Sequence, residues 1–291
     1  MIQYFWRSIC KRNTARGCVR LSGESRYLSF SGIRVHYCVA RPDVPVHSRM
    51  LLLSSPLINT FHWRKLLPEL AELGCLAVLA DLPGFGRSDP GAPQDTDVRA
   101  SLLWGVLDDV DRAMGAPMSM WHLAGHGVAC STILRMGAQY PDSVRSQVHI
   151  SPLFSVDARF RRADERERWY GENIAGADRF KRMVERWSGF PMDDYIVDRM
   201  RAPLLRPGMR GAFDRLLRGS LAPPRQGMGF CPTMALTGGR DPLLDEQRLQ
   251  QIRALLPDAE VHRLASAGHY PMEIHSKALR DYLRGWLRYN E

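Results

Sequence analysis

Features that would assign the chain to several common classes are absent from its sequence. It has no apolar run of about 18 residues, so no membrane span is predicted. Its six cysteines have no C-x-x-C spacing of the kind that binds metals, and we expect neither a metal nor another cofactor. Internal repeats and low-complexity stretches are also missing. Scattered cysteines in apolar runs are typical of reduced thiols, which predicts a cytoplasmic globular protein.

Acidic residues are fewer than basic ones, 31 against 40, which gives a formal net charge of +9. The arginines are spread along the chain and are not clustered with aromatic residues, so no nucleic-acid partner is predicted. An attraction for acidic substrates stays open. Residues 1–26 carry six basic residues and one acidic residue. We interpret them as a loosely ordered basic N-terminal extension, with a transit peptide as the alternative.

Short apolar runs alternate with amphipathic segments along most of the 291 residues. A β-hairpin is predicted from Tyr27 to Phe30 and from Ile33 to Ala40, at one edge of a sheet. This alternation requires a mostly parallel, doubly wound α/β sheet with helices on both faces. Buried strands are predicted at residues 50–53, 75–80, 118–124, 145–151, 233–237 and 260–264.

The alternation stops between residues 153 and 226. This segment is polar, helical in its pattern and interrupted by prolines, so it is expected to be an insertion. Residues 27–152 and 227–291 would then form one core. Its mixed charges around residues 159–168 predict a solvated helix face.

A tight turn of small residues follows the strand predicted at 118–124. The sequence Gly125-His126-Gly127-Val128-Ala129 has the form of the nucleophile elbow G-x-S-x-G, with Gly127 in the central position. The helix after it is expected to bury one face, formed by Ala129, Ile133, Met136 and Tyr140. Glycines 125 and 127 also partly match a dinucleotide-binding fingerprint. The third small residue is absent and no acidic residue ends the next strand, so the elbow interpretation is preferred.

A second turn is more specific. Residues 81–89, Asp-Leu-Pro-Gly-Phe-Gly-Arg-Ser-Asp, resemble the DxPGxGxSD turn of the α/β-hydrolase superfamily, and the resemblance extends over roughly residues 27–290. It implies that 153–226 is a helical lid. It also implies an acid at Asp241, in Gly-Gly-Arg-Asp-Pro, and a base at His269, in Ala-Gly-His-Tyr-Pro. Both follow strand ends, where sites of α/β sheets form.

The resemblance places Ser54-Ser55-Pro56 where the family has His-Gly-x, in which the backbone N–H of x is one of two donors to the oxyanion. Proline has no N–H, so Pro56 cannot donate, whereas the N–H of Val128 remains. Loss of one such donor typically costs about 10²–10³ in rate. Cys130 is expected to be a buried structural thiol, and a nucleophile relocated to Ser54 or Ser55 is a further alternative.

Two classes of function follow. The first is an enzyme whose His269–Asp241 dyad acts as a general base on a small apolar or aromatic carbonyl compound, in hydrolase, lyase or cyclase chemistry without an acyl-enzyme. The second is a catalytically inactive pseudo-hydrolase that binds a ligand or a protein partner. The sequence defines neither the reaction nor the oligomeric state. The expected pocket walls are Pro56, Leu57, Phe85, Phe154, Trp169 and Tyr270.

Overall fold

The computed structural model of the protein describes residues 21–115, 120–219 and 231–290. Eight strands form a single sheet in the order β1-β2-β4-β3-β5-β6-β7-β8. Strand β2 pairs antiparallel with β1 and β4, and the remaining pairs are parallel, which confirms the predicted mostly parallel sheet. The strands are β1 Leu21–Phe30, β2 Ile33–Pro42, β3 Ser48–Ser54, β4 Cys75–Asp81, β5 Trp121–His126, β6 Val144–Ile150, β7 Thr233–Gly238 and β8 Glu260–Leu264.

The edge hairpin is longer than the sequence predicts. Its two-residue turn, Ser31 and Gly32, has φ of 46° and 81°, the combination that fits the twist of two paired strands. Strand β1 pairs with β2 along its whole length, from Leu21 opposite Pro42 to Phe30 opposite Ile33. Residues 21–26, expected in the N-terminal extension, therefore belong to the sheet. Residues 1–20 lie outside the described ranges.

Helices flank the sheet and its central strands are inaccessible to solvent. All seven residues of β4 and all six of β5 are buried. Fully buried parallel strands read as continuous apolar runs, which is why both were recognisable in the sequence. The helices are α1 Leu67–Glu72, α2 Thr96–Ala113, α3 Ala129–Gln139, α4 Ala163–Tyr170, α5 Ala177–Ser188, α6 Asp194–Arg201, α7 Met209–Arg218, α8 Glu246–Leu255, α9 Pro271–Ile274 and α10 Ser276–Tyr289.

Helix α3 buries the face predicted for it with one exception. Ala129, Ile133 and Met136 are fully buried, but Tyr140 is 56% exposed. The helix ends at Gln139 and the backbone of Tyr140 is no longer helical, with φ of −138°. Its side chain therefore leaves the buried face and contacts the ring of Trp104 edge-on, at 5.4 Å between centroids.

Helices α4 to α7 all lie between β6 and β7, and we call residues 153–219 the helical insertion. A π-helix, Gly171–Ala175, joins α4 to α5. Within the expected solvated face, Arg166 is only 6% exposed and donates to Asp214 and to the carbonyl of Phe160. In the three described ranges, no helix is both long and apolar enough to cross a membrane.

Two buried histidines in the sheet make the stability of the folded protein depend on pH. Burial lowers the pKa of His122 to about 4 and that of His149 to about 3. The unfolded chain binds a proton on each below about pH 6.5, while the folded chain does not. Acidification therefore favours unfolding from about pH 6.5 down to about pH 4 through His122 and down to about pH 3 through His149.

We expect the free energy of unfolding to fall by about 2 kcal/mol per histidine between pH 7 and pH 5. Urea unfolding at a series of pH values measures this. His149→Gln removes one titrating group and should flatten the pH dependence, even if the variant is less stable throughout. An equal slope in wild type and variant would show that His149 does not contribute.

Candidate active site

The turn between β5 and α3 places Gly127 at a tip that faces a cavity. Its φ of +57° lies in the left-handed region, which glycine adopts without the steric cost of a Cβ. The N–H of Gly127 donates to the carbonyl of Ile150 at 3.0 Å, so the neighbouring strand fixes the turn. An ideal Cβ at this position would lie 3.6 Å from Nε2 of His269 and 3.3 Å from Cβ of Ser55. A side chain here would therefore point at the imidazole.

His269 and Asp241, which are far apart in the sequence, meet in the structure. Nδ1 of His269 donates to Oδ2 of Asp241 at 2.8 Å, and the second carboxylate oxygen accepts the N–H of Leu243 at 2.9 Å. The two residues are 4% and 6% exposed. Because the carboxylate holds the proton on Nδ1, Nε2 is left as an acceptor on the side of Gly127.

Glycines allow the loops that carry this pair to pack backbone against backbone. A Cβ at Gly239 would lie 2.4 Å from the carbonyl oxygen of Ala265, and one at Gly268 would lie 2.2 Å from that of Ser188. Neither approach is possible for a residue with a side chain. The N–H of Arg240 donates to the carbonyl of Ala267 at 2.9 Å in the same contact.

His126 links three of the loops at this edge of the sheet. Its Nε2 donates to the carbonyl of His269 at 2.7 Å, and its Nδ1 accepts from the hydroxyl of Ser55 at 2.8 Å. The residue is fully buried, and burial together with the neighbouring His269 lowers its pKa well below the usual value. His126 is therefore neutral, which agrees with one donated and one accepted hydrogen bond.

The two serines after β3 differ in their roles. The hydroxyl of Ser54 accepts from the indole of Trp63 at 3.0 Å and is fully buried. The hydroxyl of Ser55 lies 3.5 Å from the ideal Cβ position of Gly127 and borders the cavity, as do Pro56 and Leu57. Cys130 is completely buried, and burial raises the pKa of its thiol, so this residue is an inert structural cysteine as expected.

A cavity of about 480 Å³ opens onto Gly127, Val128 and His269. Most of its walls are apolar, and several come from the helical insertion. The phenol of Tyr270 is 1% exposed, and its hydroxyl has no hydrogen-bond partner among the described residues. The wall residues with large apolar side chains are Leu57, Leu153, Phe160, Trp169, Trp187, Phe213, Leu216, Leu217, Leu243 and Tyr270.

Two of the walls expected from the sequence are not part of this cavity. Phe85 is fully buried and packs edge-on against Phe213, with centroids 5.1 Å apart. Phe154 packs beside His149 at 6.0 Å, in a separate core cluster. In both cases the aromatic residue follows a strand end, but its side chain turns into the core. Gly125 and His126 likewise lie behind the cavity and not on its surface.

Trp187 is a site residue that the sequence did not indicate. Its carbonyl accepts the N–H of His269 at 2.7 Å, and its ring lies edge-on to the imidazole at 6.2 Å. Trp187 is near the end of α5, and no local pattern indicates where the helices of an insertion pack. Gly268 was the signal in the sequence that could have indicated this contact, because a glycine often marks a position where two backbones approach closely.

The described residues contain no group of three or more histidine, cysteine, aspartate or glutamate side chains arranged to hold a metal ion. The site therefore offers a hydrogen-bonded imidazole, a glycine tip and a backbone N–H at the amino end of α3, where helical N–H groups lack partners. This arrangement suits proton transfer beside a small bound molecule.

Solved structures share the fold of this chain. Cfl2 from Burkholderia cenocepacia superimposes with a TM-score of 0.73 and 23% identity, over 91% of this chain and 95% of that one. The haloalkane dehalogenase DbeA from Bradyrhizobium elkani gives a TM-score of 0.74 and 17% identity, over 92% and 98%. The sheet and its flanking helices thus form an α/β-hydrolase fold.

The chain belongs to the α/β hydrolase family, whose model matches residues 57–281. A curated relative, the N-formylmaleamate deformylase of Pseudomonas putida, is 26% identical in an alignment 258 residues long that covers 83% of this chain and 88% of the relative.

Gly127→Ala should lower the free energy of unfolding by about 1–3 kcal/mol, because the new Cβ meets Ser55 and occupies a left-handed backbone conformation. Gly285→Ala is the matched control. Gly285 lies inside α10 with open space around it, so alanine should stabilise the helix by roughly 0.5–1 kcal/mol. Urea unfolding of both variants tests this, and a Gly127→Ala variant as stable as wild type would refute it.

Proposed function

We propose that the protein is an enzyme in which His269, held by Asp241, is a general base acting without an acyl-enzyme intermediate. The observation that carries this is the space at Gly127. A side chain there would have pointed at Nε2 of His269, at 3.6 Å from its Cβ, yet glycine leaves the position to a small molecule. The dyad behind it is complete, with 2.8 Å between Nδ1 and Oδ2.

The missing side chain leaves room for one oxygen atom, from water or from the substrate. Nε2 of His269 takes a proton from that oxygen while the oxygen attacks the substrate carbonyl. The imidazolium then returns the proton to the leaving group as the tetrahedral intermediate collapses. Asp241 keeps the proton on Nδ1 and stabilises the imidazolium cation.

Ser55 is suited to position that oxygen. Its hydroxyl hydrogen is donated to the neutral His126, so the lone pairs of its oxygen are free to accept. A water in the space at Gly127 can donate one hydrogen to Nε2 of His269 and the other to the oxygen of Ser55. A proton transfer from Ser55 to His126 is unfavourable, because it would create a buried cation next to His269.

Two donors are available for the oxygen that becomes negative. One is the N–H of Val128 at the amino end of α3, and the other is the hydroxyl of Tyr270. Burial raises the pKa of Tyr270 well above its usual value, so the phenol keeps its proton. It would replace the N–H that Pro56 lacks.

The cavity favours a small substrate with an apolar or aromatic part and a reactive carbonyl. Its volume of about 480 Å³ fits a compact molecule, and its large apolar wall residues are mostly tryptophan, phenylalanine and leucine. The helical insertion supplies several of these walls, so we propose that it acts as the lid of the site. One relative is named as an N-formylmaleamate deformylase. N-formylmaleamate and other small N-formyl amides are therefore the first substrates to test.

A binding-only protein is the competing hypothesis. A cavity filled by side chains would have favoured it, whereas Gly127 and His269 both border open space. A scaffold that only binds also has no need for a carboxylate hydrogen-bonded to Nδ1. These observations favour the enzyme, and the experiments below separate the two.

His269→Ala should reduce turnover by about 10²–10⁴ with little effect on substrate binding, because it removes the base alone. Asp241→Asn should also impair turnover, since an amide neither fixes the tautomer nor stabilises the cation. Tyr270→Phe should lower kcat less severely. The assay uses N-formylmaleamate and a metabolite extract, incubated in parallel with wild type and each variant.

Consumption of a metabolite at equal rates by wild type and His269→Ala would exclude His269 from the mechanism. Binding of a metabolite without its consumption by any form would instead support the binding-only hypothesis. Arg288→Gln, an exposed substitution on α10, is the control and should behave as wild type.

Serine-directed phosphonate reagents should leave the intact mass of the wild-type protein unchanged, because Gly127 offers no hydroxyl. Gly127→Ser places one beside Nε2 of His269 and is the positive control for adduct formation. A stoichiometric wild-type adduct that maps to Ser54 or Ser55 would replace our proposal with a relocated nucleophile.

A further inference from the structure

A second cavity, of about 220 Å³, lies apart from the candidate active site and shares no wall residue with it. It is bounded by the β1–β2 hairpin, by the short helix Thr60–Lys65 and by the end of the helical insertion. Three arginines line it: Arg87 on the turn after β4, Arg199 on α6 and Arg206 just beyond the following short helix.

None of these three arginines has a carboxylate at ion-pair distance within residues 21–115, 120–219 and 231–290. The guanidinium of Arg199 lies over the ring of Phe61, at 4.8 Å from its centroid. Arg206 donates to the carbonyls of Gly86 and Ser88. These contacts fix the positions of two cations without neutralising either charge. By contrast Arg64, which also lies over Phe61, is paired with Glu273.

The carboxylate of Asp81, which lies behind one wall of this cavity, is already engaged in hydrogen bonds. Asp81 is 1% exposed and accepts the N–H groups of Thr60 at 2.8 Å and Arg87 at 2.9 Å. It also accepts from Nδ1 of His36 at 2.7 Å, and Nε2 of His36 is hydrogen-bonded to the hydroxyl of Ser25 at 2.8 Å. Asp81 is thus occupied by backbone N–H groups and His36 and forms no ion pair with the three guanidinium groups that border the cavity, so their positive charges are not neutralised by it.

We propose that this cavity binds the phosphate group of a small molecule. A phosphate dianion complements this concentration of positive charge, and planar guanidinium groups donate paired hydrogen bonds to its oxygens. A carboxylate carries half that charge and should bind more weakly. Since Arg199 and Arg206 belong to the helical insertion and Arg87 to the core, the bound phosphate would join these two parts of the molecule.

Isothermal titration calorimetry of the full chain in a chloride buffer tests the proposal, with inorganic phosphate as the probe. Arg87→Gln and Arg199→Gln should each weaken phosphate binding roughly tenfold or more, because each removes charge-assisted hydrogen bonds. Arg206 is left unchanged, since it also supports the turn after β4. Arg87 is exposed, so its replacement keeps the test valid if Arg199→Gln fails to fold.

Two controls separate this cavity from the candidate active site. Arg288→Gln removes an equal charge from the surface of α10, and His269→Ala removes the proposed base; phosphate binding should be unchanged in both. Acetate should bind more weakly than phosphate. β-Glycerophosphate in place of inorganic phosphate shows whether the site accepts a monoester or only the free ion.

Absence of binding at millimolar phosphate would refute the proposal. So would equal affinity in wild type, Arg87→Gln and Arg199→Gln, since the phosphate would then bind elsewhere. Loss of binding in His269→Ala would place it in the candidate active site and would also refute the proposal. None of these results bears on whether His269 acts as a base.

Discussion

Direct contact between backbones at the carboxyl edge of the sheet is the constraint on which this site depends. The loops that carry Asp241 and His269 approach so closely that Gly239 has no room for a Cβ, and Gly268 packs equally closely against the backbone of Ser188 in the helical insertion. A side chain at Gly239 would push these two loops apart and lengthen the 2.8 Å hydrogen bond between the imidazole and the carboxylate, and one at Gly268 would displace the His269 loop from the helical insertion. The geometry of the dyad therefore follows from residues that take no part in its chemistry.

Hydrogen bonds between the neighbouring loops explain how the site keeps its form with a glycine at the tip of the turn. His126 holds the loops after β3 and β8 together through its own two ring nitrogens, and the turn itself is fixed by a hydrogen bond to Ile150. Neither interaction needs a side chain at residue 127. The turn and the loops beside it therefore keep their positions although residue 127 has no side chain.

The sequence predicted the parallel sheet and the two members of the dyad because both depend on local signals. Continuous apolar runs mark buried strands, and short motifs after strand ends mark loops that meet at one edge. It assigned Phe85 and Phe154 to the cavity wrongly, since a position after a strand end does not determine which way a side chain turns. Trp187 and Phe213 were missed because their contacts depend on how the helical insertion packs.

The hydrogen bond from His269 to the carbonyl of Trp187 ties the orientation of the imidazole to the docking of α5. If the helical insertion swung away as a rigid body, the backbone of His269 would lose this anchor and its ring would lose an aromatic neighbour. Small molecules can thus enter the cavity while the imidazole stays ordered only when wall side chains, such as Trp169, change rotamer and α5 stays in place. Exchange of small molecules would then depend on the wall side chains and not on a movement of α5.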